Sequence, residues 1–158
     1  MENKMFCYQC QETVGCKGCT KAGVCGKSPE LARLQDLLIY VTKGLSDVTT
    51  KLRAEGKVVD TEVNHLITMN LFSTITNVNF DDEVFYAKIV ETLKIKEELL
   101  SKLDNKENLS EAALWNSTSK LEMEQKSAKI GVLATENEDI RSLRELVVYG
   151  IKGMSAYM

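Results

Sequence analysis

Cysteine is absent from the last 133 residues of this 158-residue chain. All five thiols fall between Cys7 and Cys25, in CYQCQETVGCKGCTKAGVC. Proline occurs once, at Pro29, and runs rich in Val, Ile and Thr are scarce, which leaves little room for a sheet. No apolar run approaches the roughly 20 residues of a membrane-spanning helix, so no membrane partner is expected. The start, MENKMFCYQC, has neither an apolar segment nor a cleavage site, so it does not read as a signal peptide. The expected location is therefore the cytoplasm, where thiols stay reduced. An odd number of cysteines also argues against a disulfide framework and leaves metal binding as the leading explanation of the cluster.

Charge narrows the field further. Residues 1–28 carry Lys4, Lys17, Lys21 and Lys27 against Glu2 and Glu12, a balance of +2 within a chain of net charge −3. So small a basic patch is a poor footprint for nucleic acid and better suited to offsetting a local anion. Four of the nine glycines lie within 15–26, so the cysteine region reads as a loop.

Helix is expected where those glycines stop. Ser28 is a good N-cap, Pro29 suits the first helical position and Glu30 the first turn. Leu34, Leu38, Val41, Leu45, Val48 and Leu52 then form one apolar stripe, with Gly56 as the stop. A second helix is expected near Asp60, burying Val63, Ile67, Leu71 and Ile75. A third follows Asp81 or Asp82, with Phe85, Ile89, Leu93, Leu100 and Leu103 on one face. Residues 104–118 read as a polar connection with a short turn at Ala112–Trp115, and Trp115 as a lid over apolar surface. A shorter helix is expected over Ser119–Lys129, something extended over 130–139, and a final helix capped near Asn137 or Asp139. The fold class is thus all-α: one or more helical bundles with an N-terminal Cys/Gly-rich loop. The divisions are 1–28 for the loop, 29–103 for a helical bundle, 104–118 for the connection and 119–158 for further helices. The chain is read as a fragment cut within its last helix.

The last helix repeats the first. LARLQDLLIYVTKGLSDV (31–48) aligns without gaps on IRSLRELVVYGIKGMSAY (140–157), with identities at Leu34/Leu143, Leu37/Leu146, Tyr40/Tyr149, Lys43/Lys152, Gly44/Gly153 and Ser46/Ser155. Acidic Asp36 and Glu145 also correspond. A mid-helix glycine is unfavourable by about 1 kcal/mol against alanine, so the shared Lys-Gly pair suggests close packing of these helices on each other or on equivalent partners.

The thiol spacing is C-x2-C-x5-C-x2-C-x5-C. Two CxxC pairs suit tetrahedral zinc, but zinc ribbons separate the pairs by about 15–20 residues. A redox CxxC would want a strand–helix setting that is not visible. An iron–sulfur cubane needs four thiolates on a glycine-permissive loop, and its negative charge would gain from the local +2 balance and from the helix start at Ser28. Phe6, Tyr8 and Val24 are candidates for its dry shell. Spacing alone leaves iron–sulfur, zinc and unligated thiols open, and does not say which cysteine is spare. His65 reads as a surface residue, Asp81/Asp82 as a helix cap, and Glu97/Glu98 as a solvated face. No catalytic residue is assigned.

MFCYQCQET, GCTKAGVCGK, LQDLLIYVTKG, TITNVNFDD and GVLATENEDIRSLRELVVYGIKG together resemble the hybrid-cluster proteins, also called prismane proteins or hydroxylamine reductases. Carbon monoxide dehydrogenases are related, with a less similar N-terminal pattern. The resemblance runs along nearly the whole chain. It implies a C-x2-C-x8-C-x5-C ligand set at Cys7, Cys10, Cys19 and Cys25 holding a 4Fe–4S cluster, with Cys16 the extra thiol. It further implies a helical domain of two three-helix bundles, followed in longer members by two α/β domains that hold a hybrid iron–sulfur–oxygen cluster through His, Glu and Cys. The implied activity is reduction of hydroxylamine to ammonia or of nitric oxide, with electrons passing through the 4Fe–4S cluster. Implied partners are those later domains, a redox partner protein and a possible second copy of the chain. The alternative is a zinc-binding or metal-free helical docking module.

Overall fold

The computed structural model describes residues 4–75 and 78–158. Among them are six α-helices and no strand. Helix α1 (Pro29–Ala54) begins as the local chemistry dictates: Pro29 opens the first turn, and the Ser28 side chain accepts a hydrogen bond from the Leu31 N–H at 3.0 Å. It stops at Gly56, whose φ of +75° is open to glycine without strain.

Helix α1 is the axis of the molecule. Leu31, Leu34, Leu37, Leu38 and Val41 on its first half meet Phe85, Ile89 and Leu93 of α3 (Asp82–Leu100) and Met123 of α5 (Lys120–Ser127). Leu45, Val48 and Leu52 on its second half meet Val63 of α2 (Thr61–Ser73), Leu99, Leu103 and Ala113. Helices α1–α3 form a three-helix bundle, α4 (Glu111–Leu114) and α5 pack on α1, and α6 (Glu138–Ser155) packs on α2. Trp115 is partly buried edge-on to Tyr40, 6.0 Å between ring centres, and so covers apolar surface as expected.

Three expectations change. Helix α2 fully buries only Val63 of its expected stripe; Asn70 and Ser73 are buried instead. The Asn70 amide donates to Thr42 Oγ1 of α1 at 3.2 Å and to Thr92 Oγ1 of α3 at 2.8 Å, so hydrogen bonding fills this part of the bundle. Residues 130–139 are not extended: Val132–Ala134 form a 3-10 turn, followed by the Asn137 cap of α6. The paired glycines also part company. A Cβ on Gly44 would stand 2.1 Å from the Ala112 carbonyl oxygen, whereas nothing lies within 4 Å of one on Gly153.

The motif TITNVNFDD lies partly outside the described residues, at Thr76 and Asn77. Among the described residues no helix is long and apolar enough to cross a membrane.

Candidate metal centre

The cysteine loop is held by backbone before any side chain acts. Cys7 and Cys19 form an antiparallel bridge, each N–H donating to the other's carbonyl at 3.1 and 2.8 Å. Beside it the Lys4 and Met5 N–H groups both reach Thr20 O. Cys10 opens a turn closed by Thr13, whose hydroxyl donates to Cys10 O at 2.7 Å. The turn at Val14–Cys16 then passes through positive φ at Gly15 (+59°) and Cys16 (+56°), bringing the chain back to the bridge.

Gly18 is the residue that permits the return. A Cβ there would meet the Phe6 ring at 2.5 Å, so only hydrogen lets Phe6 lie over the backbone. At the far end Gly23 N–H donates to Lys27 O at 2.8 Å, and a Cβ on Gly23 would fall 3.1 Å from Cys25 Sγ. Cys25 therefore sits three residues before the N-cap of α1, whose free N–H groups carry partial positive charge.

Of the expected ligands, Cys19 is buried, Cys7, Cys10 and Cys25 are partly buried, and Cys16 is exposed; all five thiols are free. Cys7 and Cys19 meet through the bridge; Cys10 lies in the loop between them and Cys25 beyond it. Among the described residues no group of three or more His, Cys, Asp or Glu is close enough together to hold a metal ion. The donor set thus fits a thiolate-bound cluster in chemical kind and in the path of its backbone, while the sulfurs do not close on one centre. Phe6 and Tyr8 stack in a tilted pair, 5.8 Å between ring centres, as a partly buried wall. Val24, expected in the same shell, is exposed. His65 is exposed on α2, away from the loop.

Beneath the loop lies a small cavity of about 30 Å³, lined in part by Cys7, Tyr8, Gln9, Lys27, Asp36 and Lys152. Lys27 and Lys152 are only 2% and 5% exposed. The Lys27 ammonium donates to Gln35 Oε1. The Gln9 amide, turned as its neighbours require, donates to Thr74 O at 3.1 Å and accepts from Lys152 Nζ at 3.0 Å. Tyr8 Oη donates to Glu145 Oε2 at 3.1 Å, and Tyr149 Oη to Gln9 O at 3.3 Å, so the loop is tied to α6 at three points.

The cavity shifts its ionisable groups towards neutrality. Burial pushes the Asp36 carboxyl up to about 7, against the pull of Lys152. Burial likewise brings Lys152 down to about 8, opposed by Asp36 and reinforced by Lys27. The Tyr8 phenol is raised by burial and by the Glu145 carboxylate. Nothing in the residue spacing marks Lys152 and Asp36 as neighbours of the loop; the repeat that aligns Lys43 with Lys152 is the one signal.

Comparison with known proteins then decides the family. A profile described as Prismane/CO dehydrogenase family matches residues 5–158. The chain belongs to that family. It is 57% identical over 157 residues to a hydroxylamine reductase of Desulfovibrio desulfuricans, covering 99% of this chain and 29% of that protein. A hydroxylamine reductase of Clostridium perfringens is 52% identical over 160 residues, and one of Parabacteroides distasonis 52% over 158, each covering 98% of this chain and 29% of the relative. This prismane-family chain therefore spans under a third of the length of the curated relatives it matches. The all-helical bundle and the free-thiol loop agree with the family resemblance read from the motifs.

Proposed function

We propose that this chain is the iron–sulfur electron-transfer domain of a hydroxylamine reductase of the hybrid-cluster type. The observation that carries the reading is identity above 50% to proteins named hydroxylamine reductase along essentially the whole chain. In this reading Cys7, Cys10, Cys19 and Cys25 hold a 4Fe–4S cluster. When bound, such a cluster stores and passes single electrons at a potential set by its surroundings.

The chain's own residues do the rest. The bridge fixes Cys7 against Cys19, Gly18 and Gly23 keep side chains out of the loop's close approaches, and Phe6 with Tyr8 excludes water from one side. The N-terminus of α1 and the lysines beneath the loop favour negative charge above them. Reduction of hydroxylamine to ammonia, or of nitric oxide, belongs to the full-length protein, whose remaining domains hold the hybrid cluster. Those domains, a redox protein and a second copy of the chain are its partners in this reading. An odd number of cysteines gathered in one loop favours a reducing, cytoplasmic setting.

The test is iron, acid-labile sulfide and zinc per chain after anaerobic purification, with a visible spectrum. About four irons and four sulfides, with brown absorption bleached by dithionite, are expected. Cys19→Ser should lose the cluster and Cys16→Ser keep it; the reverse outcome overturns the ligand assignment. A second reading is a zinc-binding or metal-free helical docking module; the thiols not closing on one centre favour its metal-free form. A colourless chain with one tightly held zinc, or with free thiols, is its signature.

A further inference from the structure

The bundle of α1–α3 is closed on two sides and open on the third. Helices α2 and α3 each pack along α1 but touch each other only slightly. Between them, continued by residues 58–60, runs a groove of about 900 Å³. Val59, Val63, Leu66, Ile95 and Leu99 form its apolar wall, and Val58 and Met69 beside them are 95% and 37% exposed. An apolar channel left open to water between polar edges is unfavourable until something covers it, and such channels mark binding surfaces.

The shape selects a helix. Along α3 the groove extends from Lys88 to Lys102, about 21 Å at the rise of an α-helix. Both walls are helices, whose backbone groups are already paired and offer no edge to an incoming strand. A helix brings its own backbone bonds and lays one face, at i, i+3, i+4 and i+7, along the channel. The charge selects its sign. Asp60, Glu62, Glu91 and Glu98 line the groove against Lys88 and Lys102, an excess of two negative charges. Among the described residues none of these carboxylates forms an ion pair. A second copy of the chain supplies no match. Its exposed apolar helix, α6, carries Glu138, Asp139 and Glu145 against Arg141 and Arg144, with Lys152 buried.

We propose that the α2–α3 groove is a docking site for a basic amphipathic helix of a partner protein, about 14 residues long. Apolar side chains of that helix fill the channel, and lysines or arginines on its flanks meet Glu62 of α2 and Glu91 and Glu98 of α3. The proposal uses no thiol and is independent of the iron–sulfur reading.

The probe is a labelled synthetic peptide of about 14 residues, with leucine on one helical face and lysine elsewhere, titrated with the purified chain by fluorescence anisotropy. Saturable binding that weakens with added salt is expected, with amide shifts confined to residues 58–69 and 88–102. Glu91→Lys with Glu98→Lys should weaken binding at least about tenfold, and Val58→Asp likewise. All three positions are exposed, and circular dichroism checks that the variants stay folded. Leu146→Asp on α6 should leave binding unchanged, and the same peptide with glutamate for lysine should not bind. Absence of saturable binding, equal binding of the glutamate peptide, or loss with Leu146→Asp but not with the groove variants overturns the proposal. So does a chain that is dimeric and becomes monomeric with Val58→Asp, which puts a second copy in the groove. Loss of peptide binding in a protein extended to the length of its relatives would give the groove to a later segment of the same chain, and overturns it too.

Discussion

Helices α1 and α6 carry nearly the same amphipathic text and have opposite fates. α1 buries fourteen residues and α6 only two, Lys152 and Ser155, so the aligned pattern does not fix the degree of burial. At the aligned leucines the contrast is complete: Leu37 is 0% exposed and Leu146 68%. Leu34 and Leu143 divide the same way. The lysines invert, Lys43 lying exposed and Lys152 buried. α1 is surrounded by α2, α3, α4 and α5, whereas α6 touches mainly α2 and the loop. An apolar stripe states what a helix can bury; its neighbours decide what it does bury.

The leucine pair gives the largest expected difference. In the metal-free chain, Leu37→Ala should lose about 2–5 kcal/mol by transfer and cavity terms together. Leu146→Ala should stay within about 0.5 kcal/mol. Urea unfolding measures both, and similar losses at the two sites would mean that α6 is covered in solution.

The glycine pair comes next. Gly44→Ala forces a methyl against the Ala112 carbonyl and should destabilise by about 1–3 kcal/mol. Gly153→Ala enters open space and should gain up to about 1 kcal/mol from helix propensity. Equal effects of the two substitutions would show that Gly153 also meets a partner.

The lysine contrast is sharpened by Lys96 of α3, which is 2% exposed and donates to Ala112 O at 2.8 Å and to Trp115 O. Burial brings it down to about 8 from an ordinary value of 10.5. Between those values the unfolded chain binds more protons than the native one, so this group makes stability rise with pH. The rise should be on the order of 1–2 kcal/mol between pH 8 and 10. Comparing wild type with Lys96→Met at both pH values isolates it from the thiols; parallel curves would show an unshifted lysine. The smallest effect is expected at Tyr149→Phe, which removes one exposed hydrogen bond to Gln9 O and should lose no more than about 0.5 kcal/mol.

Much of this was legible along the chain because the signals are local. The Ser28–Pro29–Glu30 start of α1, the Asp60 and Asp81 caps, the Gly56 stop and the turn at Ala112–Trp115 each follow from residues within one turn of the event. The Cys/Gly loop was legible for the same reason. Asn70 was not, since its polar side chain is buried by hydrogen bonds to Thr42 and Thr92, distant in sequence. Residues 130–139 misled because a short apolar run, IGVL, is compatible with a strand until no second strand exists to pair with it.

The sequence by itself determined that this protein is helical, where its helices begin, and that its thiols gather in one glycine-permissive loop. These depend on backbone preferences and hydrogen bonds spanning three or four residues. Tertiary structure alone decided which of two similar helices became the core. It also decided that Lys152, 145 residues beyond Cys7, would stand under the cysteine loop beside Lys27. Burial and Coulomb energy depend on distance in space, and neither is written in the spacing of residues along a chain.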